Sequence, residues 1–233
     1  ILLYGENSGL ISEIKKKILT NHKNDEIIRS QLPRLSINYK DISKSSDLKS
    51  YFSNNVKEVW LEIGFGSGEH LISLSKTYPN IGFIGVEVYE DGIVKTLKQI
   101  SKLNLTNIRL INEDATNIIL LLPPKSIDKI FLLFPDPWPK KRHVKRRFTN
   151  SGNLQQLARI ILDGGELLFA TDHMEYLNWS LEQFMRTPLF KNENLDQNSW
   201  ENPPKGWFST RYEQKAIQAG RKPKYLKFLK NDI

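Results

Sequence analysis

The feature that most restricts this 233-residue chain is a rhythm running from about residue 56 to residue 186, in which short apolar runs alternate five times with stretches of helical period. "VKEVWLEIG", "IGFIGVEV", "IRLIN", "IDKIFLLF" and "GELLFATD" read as strands, and residues 68–77, 90–103, 116–122, 149–162 and 173–186 as helices. Within 90–103 the apolar residues Ile93, Leu97 and Ile100 recur at helical spacing. Runs such as "FLLF" are apolar at every position, so both of their faces must be covered. An α/β fold follows, with a mostly parallel sheet between two layers of helices. After a loop rich in Pro, Asn and Trp ("NSWENPPKGW"), Thr210–Ala219 reads as a helix and "PKYLKFL" as a last strand. Residues 1–50 are polar and Lys-rich without a clean period. They are expected to form an arm with one short helix near 10–20, leaving 51–233 as the folded domain. The chain opens on Ile, so its native start is expected further upstream.

Ligands of open α/β sheets bind beyond the carboxyl ends of the strands, and these ends carry the chemistry. The first strand runs into "LEIGFGSGEH", where Gly64, Gly66 and Gly68 are spaced G-x-G-x-G directly before a helix. Glycine permits the tight turn and a close approach of a ligand to the backbone. The dinucleotide fingerprint G-x-G-x-x-G is not met, because Glu69 stands where its third glycine belongs. Glu62, two residues before Gly64, puts a negative charge where a pyrophosphate would be unwelcome. A cofactor with a positive centre and no phosphate fits better, and S-adenosylmethionine carries a sulfonium and an ammonium. Glu87 ends the second strand, nineteen residues after Gly68, where an acid can grip both ribose hydroxyls. Asp114, at the end of the third, can reach an adenine amino group, N-cap the following helix, or do both.

The fourth strand ends in "FPDPWPKKRHVKRR". Residues 140–147 hold six Lys or Arg and no acid, and residues 211–230 hold seven against one acid, so a net charge of +8 is concentrated in two patches. Such focusing favours a polyanionic partner. With no cysteine, disulfides, thiolate metal sites and the thiolate attack of pyrimidine-C5 enzymes are excluded. The four histidines are scattered without ligand spacing, so no metal is expected. No apolar run reaches membrane-spanning length, and a cytoplasmic protein is the expectation.

Taken together, E-x-G-x-G-x-G, the second-strand acid, the third-strand Asp and the Pro-Asp-Pro-Trp resemble the class I S-adenosylmethionine-dependent methyltransferases. More narrowly, "LEIGFGSGEHLI", "GVEVYEDGI", "FPDPWPKKRHVKRR", "ATDHMEYLNW" and "TRYEQKAIQAG" resemble the tRNA (guanine-N7-)-methyltransferase family, the TrmB type, over about residues 56–230. The resemblance implies a Rossmann-like sheet of seven strands and transfer of a methyl group to N7 of a guanine in the variable loop of tRNA. It implies cofactor contacts at Glu62, Gly64, Gly66, Gly68, Glu87, Asp114 and Asp136, with Asp136 as the active-site residue. Substrate contacts fall on Lys140, Asp172 and the run Thr210, Arg211, Tyr212, Glu213. The RNA surface maps to Lys141, Arg142, His143, Lys145, Arg146 and Arg147, in a protein acting as a monomer or homodimer. Asp172 can equally cap the helix that follows it, and Thr210-x-x-Glu213 matches a capping box in its own right. "NPPK" at 202–205 lacks the aromatic of the amino-group methyltransferase motif and reads as loop.

The chemistry constrains Asp136 further. Guanine N7 is a lone-pair acceptor that carries no hydrogen, so its methylation removes no proton and needs no base at the nucleophile. Asp136 is therefore expected to orient the base and stabilise developing positive charge. Pro135 and Pro137 stiffen its backbone, and Trp138 offers a flat surface on which a base could stack. The alternatives are a class I methyltransferase acting on another RNA atom or a small molecule, and a non-catalytic RNA-binding protein of the same fold.

Overall fold

The computed structural model describes residues 25–37, Ile42, 47–53, 55–193 and 198–232. Its centre is a seven-stranded sheet in the order β3-β2-β1-β4-β5-β7-β6. The strands are β1 (Glu58–Ile63), β2 (Ile81–Val86), β3 (Ile108–Ile111), β4 (Ile127–Leu133), β5 (Ile161–Thr171), β6 (Phe190–Asn192) and β7 (Lys224–Lys230). All contacts among β1 to β5 are parallel, and β7 runs antiparallel between β5 and β6. The helices are α1 (Glu69–Thr77), α2 (Glu90–Leu103), α3 (Ala115–Leu121), α4 (Ser151–Ile160), α5 (Met174–Met185) and α6 (Arg211–Gln218).

Burial on both faces follows from the alternation of side chains along each strand. Leu61, Ile63, Ile84, Val86, Ile130, Leu132, Leu167 and Phe169 pack with α3, α4 and α5. The opposite face buries Phe83, Leu110, Phe131 and Leu168 against α1 and α2, whose Leu71, Leu74, Ile93, Leu97 and Ile100 supply the apolar stripe. The strand order reverses between β1 and β4, which is where such sheets open a crevice.

Three details differ from the sequence expectation. β5 begins at Ile161 rather than Gly165, because Ile161 already pairs with Ile127 before the register shifts. β6, three residues long, was not located in the sequence; it is one of the seven strands that the resemblance implies and exists through its pairing with β7. The segment 1–50 is not a detached arm throughout. A helical stretch over 25–35 leads to Ser36, which bridges to Leu110 at the β3 edge, and Ile37, Ile42 and Leu48 are core residues. The short helix expected near 10–20 lies outside the described residues. Among the described residues no helix is long and apolar enough to cross a membrane.

Candidate active site at the carboxyl ends of the strands

The glycine loop is built as its residue types require. Gly64, Gly66 and Gly68 all have positive φ, 72°, 56° and 76°, where a side chain would be strained. Space also matters at Gly68, because a Cβ there would meet Thr96 of α2 at 2.3 Å. Gly64 and Gly66 have nothing within 4 Å on that side, so the loop presents bare backbone to open space. Glu87 ties the loop to β2: its Oε2 accepts the Gly66 amide at 2.8 Å, while Oε1 accepts the Val88 and Tyr89 amides. Glu62 is 4% exposed, with Oε2 lying 2.9 Å from Nδ1 of His70, itself 1% exposed. Thus Glu62 is engaged by His70 of α1 and is not among the residues lining the crevice.

The crevice itself is a cleft of about 420 Å³ whose walls include Gly64, Glu87, Glu113, Asp114, Asp136, Trp138 and Arg146. Asp114 N-caps α3, accepting the Thr116 amide at 2.8 Å, and still faces the cleft. After β4 the chain turns sharply. Phe134 and Trp138 have φ of 51° and 43°, a left-handed conformation uncommon for aromatic residues. Among the described residues no hydrogen bond or ion pair holds the exposed Asp136 carboxylate.

The basic run forms a 3₁₀ helix, Lys141–Arg146, capped by Lys140. Lys140, Lys141, Arg142, Lys145 and Arg146 are exposed, and Arg146 lies 5.0 Å over the Trp138 ring, which His143 meets edge-on. One face of Trp138 is therefore covered by a cation. Arg147 departs from the expectation. It is 1% exposed, donates from Nε to the Pro137 carbonyl at 2.8 Å, and pairs with Glu175 at 2.8 Å. A guanidinium so enclosed cannot reach a phosphate, and its assignment to the RNA surface is corrected.

Asp172 is held by Arg221 at 2.6 Å and receives the Tyr212 hydroxyl at 3.4 Å; His173, not Asp172, caps α5. Burial and the Asp172 charge raise the Tyr212 hydroxyl above the ordinary phenol value, and the Asp136 charge adds to this. The start of α6 lies across the rim, with Arg211 on Glu69 at 3.1 Å and Tyr212 packed on Phe134. Thr210 and Glu213 form the capping box. Glu213 is 2% exposed and takes hydrogen bonds from the Trp207 indole, the Tyr225 hydroxyl and the Thr210 amide. It anchors α6 from below and is closed to a substrate, which corrects its expected role as a contact.

The structure thus gathers Gly64, Glu87, Asp114, Asp136 and Arg146 around one cleft, with Asp172, Tyr212 and Arg211 at the α6 side of the same rim. Sequence reasoning missed His70, Gly92, Trp207 and Arg221. Gly92 carried a signal: a glycine in the first turn of a helix beside a glycine loop points to close packing, and a Cβ there would lie 2.1 Å from the Gly66 carbonyl oxygen. The residues fit S-adenosylmethionine. The bare backbone at Gly64 and Gly66 admits a ligand, and four carboxylates in the cleft wall suit a cationic one. Among the described residues no group of three His, Asp or Glu side chains could hold a metal ion.

Comparison with known proteins agrees with this geometry. A methyltransferase family model matches residues 56–226. A tRNA (guanine-N(7)-)-methyltransferase of Rhodospirillum rubrum is 41% identical over 204 residues, 87% of this chain and 80% of that protein. One of Bartonella quintana is 44% identical over 205 residues, 87% and 88% of the two chains. Among solved structures, an rRNA methylase of Streptococcus thermophilus superposes with a TM-score of 0.52 at 16% identity, over 83% of this chain and 94% of that one. A 16S rRNA methyltransferase gives 0.54 at 14% identity over 76% and 89%. These two share the fold, whereas the sequence relatives, together with the family model, decide the kinship: the chain belongs to the tRNA (guanine-N7-)-methyltransferase family.

Proposed function

We propose that this chain transfers the methyl group of S-adenosylmethionine to N7 of a guanine in the variable loop of tRNA, with Asp136 as the residue that meets the base. The observation that carries the reading is the cleft, where Glu87, Asp114 and Asp136 share one cavity with Arg146, the last cation of an exposed basic helix. The cofactor supplies an electrophilic methyl group on a sulfonium. Its holding falls to the Gly64–Gly68 loop, Glu87 and Asp114, with Glu62 bonded to His70 of α1, the helix that the loop leads into.

Asp136 has no protein partner among the described residues, so its oxygens are available to accept from the guanine N1–H and amino group. That contact orients N7, and a fixed carboxylate favours the positive charge that the purine gains. No proton leaves N7. Lys140, Lys141, Arg142, Lys145 and Arg146 face solvent and suit phosphates, while Tyr212 borders the base from α6, its hydroxyl donating to Asp172 at the end of β5.

Incubation with radiolabelled S-adenosylmethionine and bulk tRNA, followed by nucleoside mapping, tests the reading. Label is expected in N7-methylguanosine from the variable loop. Label on any other atom, or none in tRNA, refutes it.

A further inference from the structure

Asp136 poses a question of position. Its carboxylate is held by no side chain among the described residues, so the backbone alone decides where it lies. That backbone is poor in anchors, because Pro135, Pro137 and Pro139 have no N–H to donate. It is also bent out of its comfort: Phe134 and Trp138, on either side, both occupy left-handed conformations. Such conformations persist only where the surroundings impose them. At the upstream end the Phe134 amide donates to the Ala170 carbonyl at 2.7 Å. At the downstream end the contact is Arg147, whose Nε donates to the Pro137 carbonyl at 2.8 Å.

We propose that Arg147 is a positioning residue, a buried clamp that fixes the Pro137 carbonyl and thereby places the Asp136 carboxylate at the cleft. The inference rests on the reading of Asp136 above. The guanidinium is engaged beyond Nε. Its Nη2 pairs with Glu175 on α5 at 2.8 Å, and the Tyr176 and Trp179 rings lie 5.5 and 5.4 Å from its centre. The Glu175 carboxyl is held below its usual range by its hydrogen bond to Arg147, so this carboxylate stays charged at neutral pH. The Arg147 carbonyl accepts from Asn150, the N-cap of α4, which ties the clamp to a second helix. The basic 3₁₀ helix therefore ends in a residue turned inward, and the loop of Asp136 is pinned to α5 through it. Lysine cannot replace it, since a single ammonium lacks the planar fork that spans Pro137 and Glu175 together.

The test compares Arg147→Lys and Arg147→Met with Arg146→Met. Hydrogen–deuterium exchange at the hydrogen-bonded amides that bracket the loop, Phe134 on one side and His143 on the other, should speed up in both Arg147 variants. Single-turnover methyl transfer at saturating tRNA should fall on the order of 10²-fold, the usual cost of misplacing a reacting group by about an ångström. The tRNA dissociation constant and its salt slope should match the unmodified chain. In Arg146→Met, by contrast, tRNA binding should weaken and the slope become shallower by about one unit. Unchanged loop exchange in Arg147→Lys, or lost tRNA affinity with a shallower slope and a normal rate, overturns the proposal. Folding is checked by titration with S-adenosylhomocysteine. Should both Arg147 variants fail it, Glu175→Gln, which alters only the exposed end of the clamp, is read by the same exchange: faster supports, unchanged overturns. Exchange needs no substrate, so an error about the methylated atom would leave this arm intact.

Discussion

Replacing Gly92 with alanine measures how tightly the cofactor loop is packed. Gly92 lies in the first turn of α2, and a Cβ on it would sit 2.1 Å from the Gly66 carbonyl oxygen and 2.9 Å from its carbonyl carbon. Both atoms are backbone, and no rotamer change can relieve the clash. Carbon–oxygen contact normally begins at about 3.3 Å, so loop and helix must part by roughly an ångström. Overpacking of this kind costs about 1–3 kcal/mol, and a backbone clash belongs at the upper end. Alanine's helix propensity returns at most about 1 kcal/mol over glycine. The net loss, about 1–2 kcal/mol, lowers Tm by about 2–8 °C for a chain of this size. The displacement also strains the Gly66 amide to Glu87 bond, a charge-assisted contact worth about 1.5–3 kcal/mol. The dissociation constant for S-adenosylhomocysteine should therefore rise about tenfold or more by calorimetric titration. Gly152→Ala is the control: its nearest atom is 3.4 Å away, and Tm should hold or rise slightly. A Gly92→Ala protein with unaltered Tm and cofactor affinity would show that the loop does not depend on this contact.

Four further outcomes are expected. Asp136→Asn should lower the single-turnover rate by on the order of 10²–10³-fold with cofactor affinity little changed; because N7 loses no proton, the rate should be flat with pH above the acid range, and a limb near pH 7 that vanishes in the variant would assign it a base's role. Five exposed cations from Lys140 to Arg146 predict a slope of log affinity against log salt of about −4 for tRNA, and a salt-insensitive affinity would contradict phosphate binding there. Glu213→Ala strands the Trp207 indole, the Tyr225 hydroxyl and the Thr210 amide, at about 1–3 kcal/mol for each donor left unsatisfied. Tm should fall on the order of 10 °C, whereas Tyr212→Ala next to it should change kcat/KM and leave Tm nearly unmoved. Burial raises the Glu166 carboxyl, but hydrogen bonds from Lys129 and Lys227 outweigh it and hold the group below its usual range. Its contribution is thus fully present at neutral pH and lost as pH falls through the lowered value, so the Tm deficit of Glu166→Gln should shrink in acid.

What the chain revealed in advance was whatever local chemistry demanded. Strands such as "FLLF" announced burial on both faces, and Ile93, Leu97 and Ile100 announced the buried stripe of α2. The glycines, Glu87 and Asp114 were legible because tight turns, strand tips and helix caps restrict residue types. β6 was not, since three residues, Phe190–Asn192, become a strand only by pairing with β7. The capping box of Thr210 and Glu213 could be read from four residues, but the burial of Glu213 depends on Trp207 and Tyr225 arriving from elsewhere. Arg221 meets Asp172 only because β7 pairs alongside β5. Long-range pairing leaves no trace in local spacing.

The cleft sets an electrostatic conflict that the fold settles by geometry. Glu87, Glu113, Asp114 and Asp136 line one cavity, a field that suits a sulfonium and repels phosphates. At physiological salt that repulsion reaches about 8 Å, the Debye length. The turn after β4 leads the chain out of the sheet and into the basic 3₁₀ helix within a few residues, so the compensating cations stand at the mouth of the cleft. Arg146 marks the boundary, lining the cavity while resting on Trp138. On the proposed function the two fields then act on different parts of one substrate: the phosphates meet the cations outside, and only the neutral base enters the acidic cavity. There the base gains a positive charge on methylation, so the carboxylates that would repel a phosphate favour the product of the transfer.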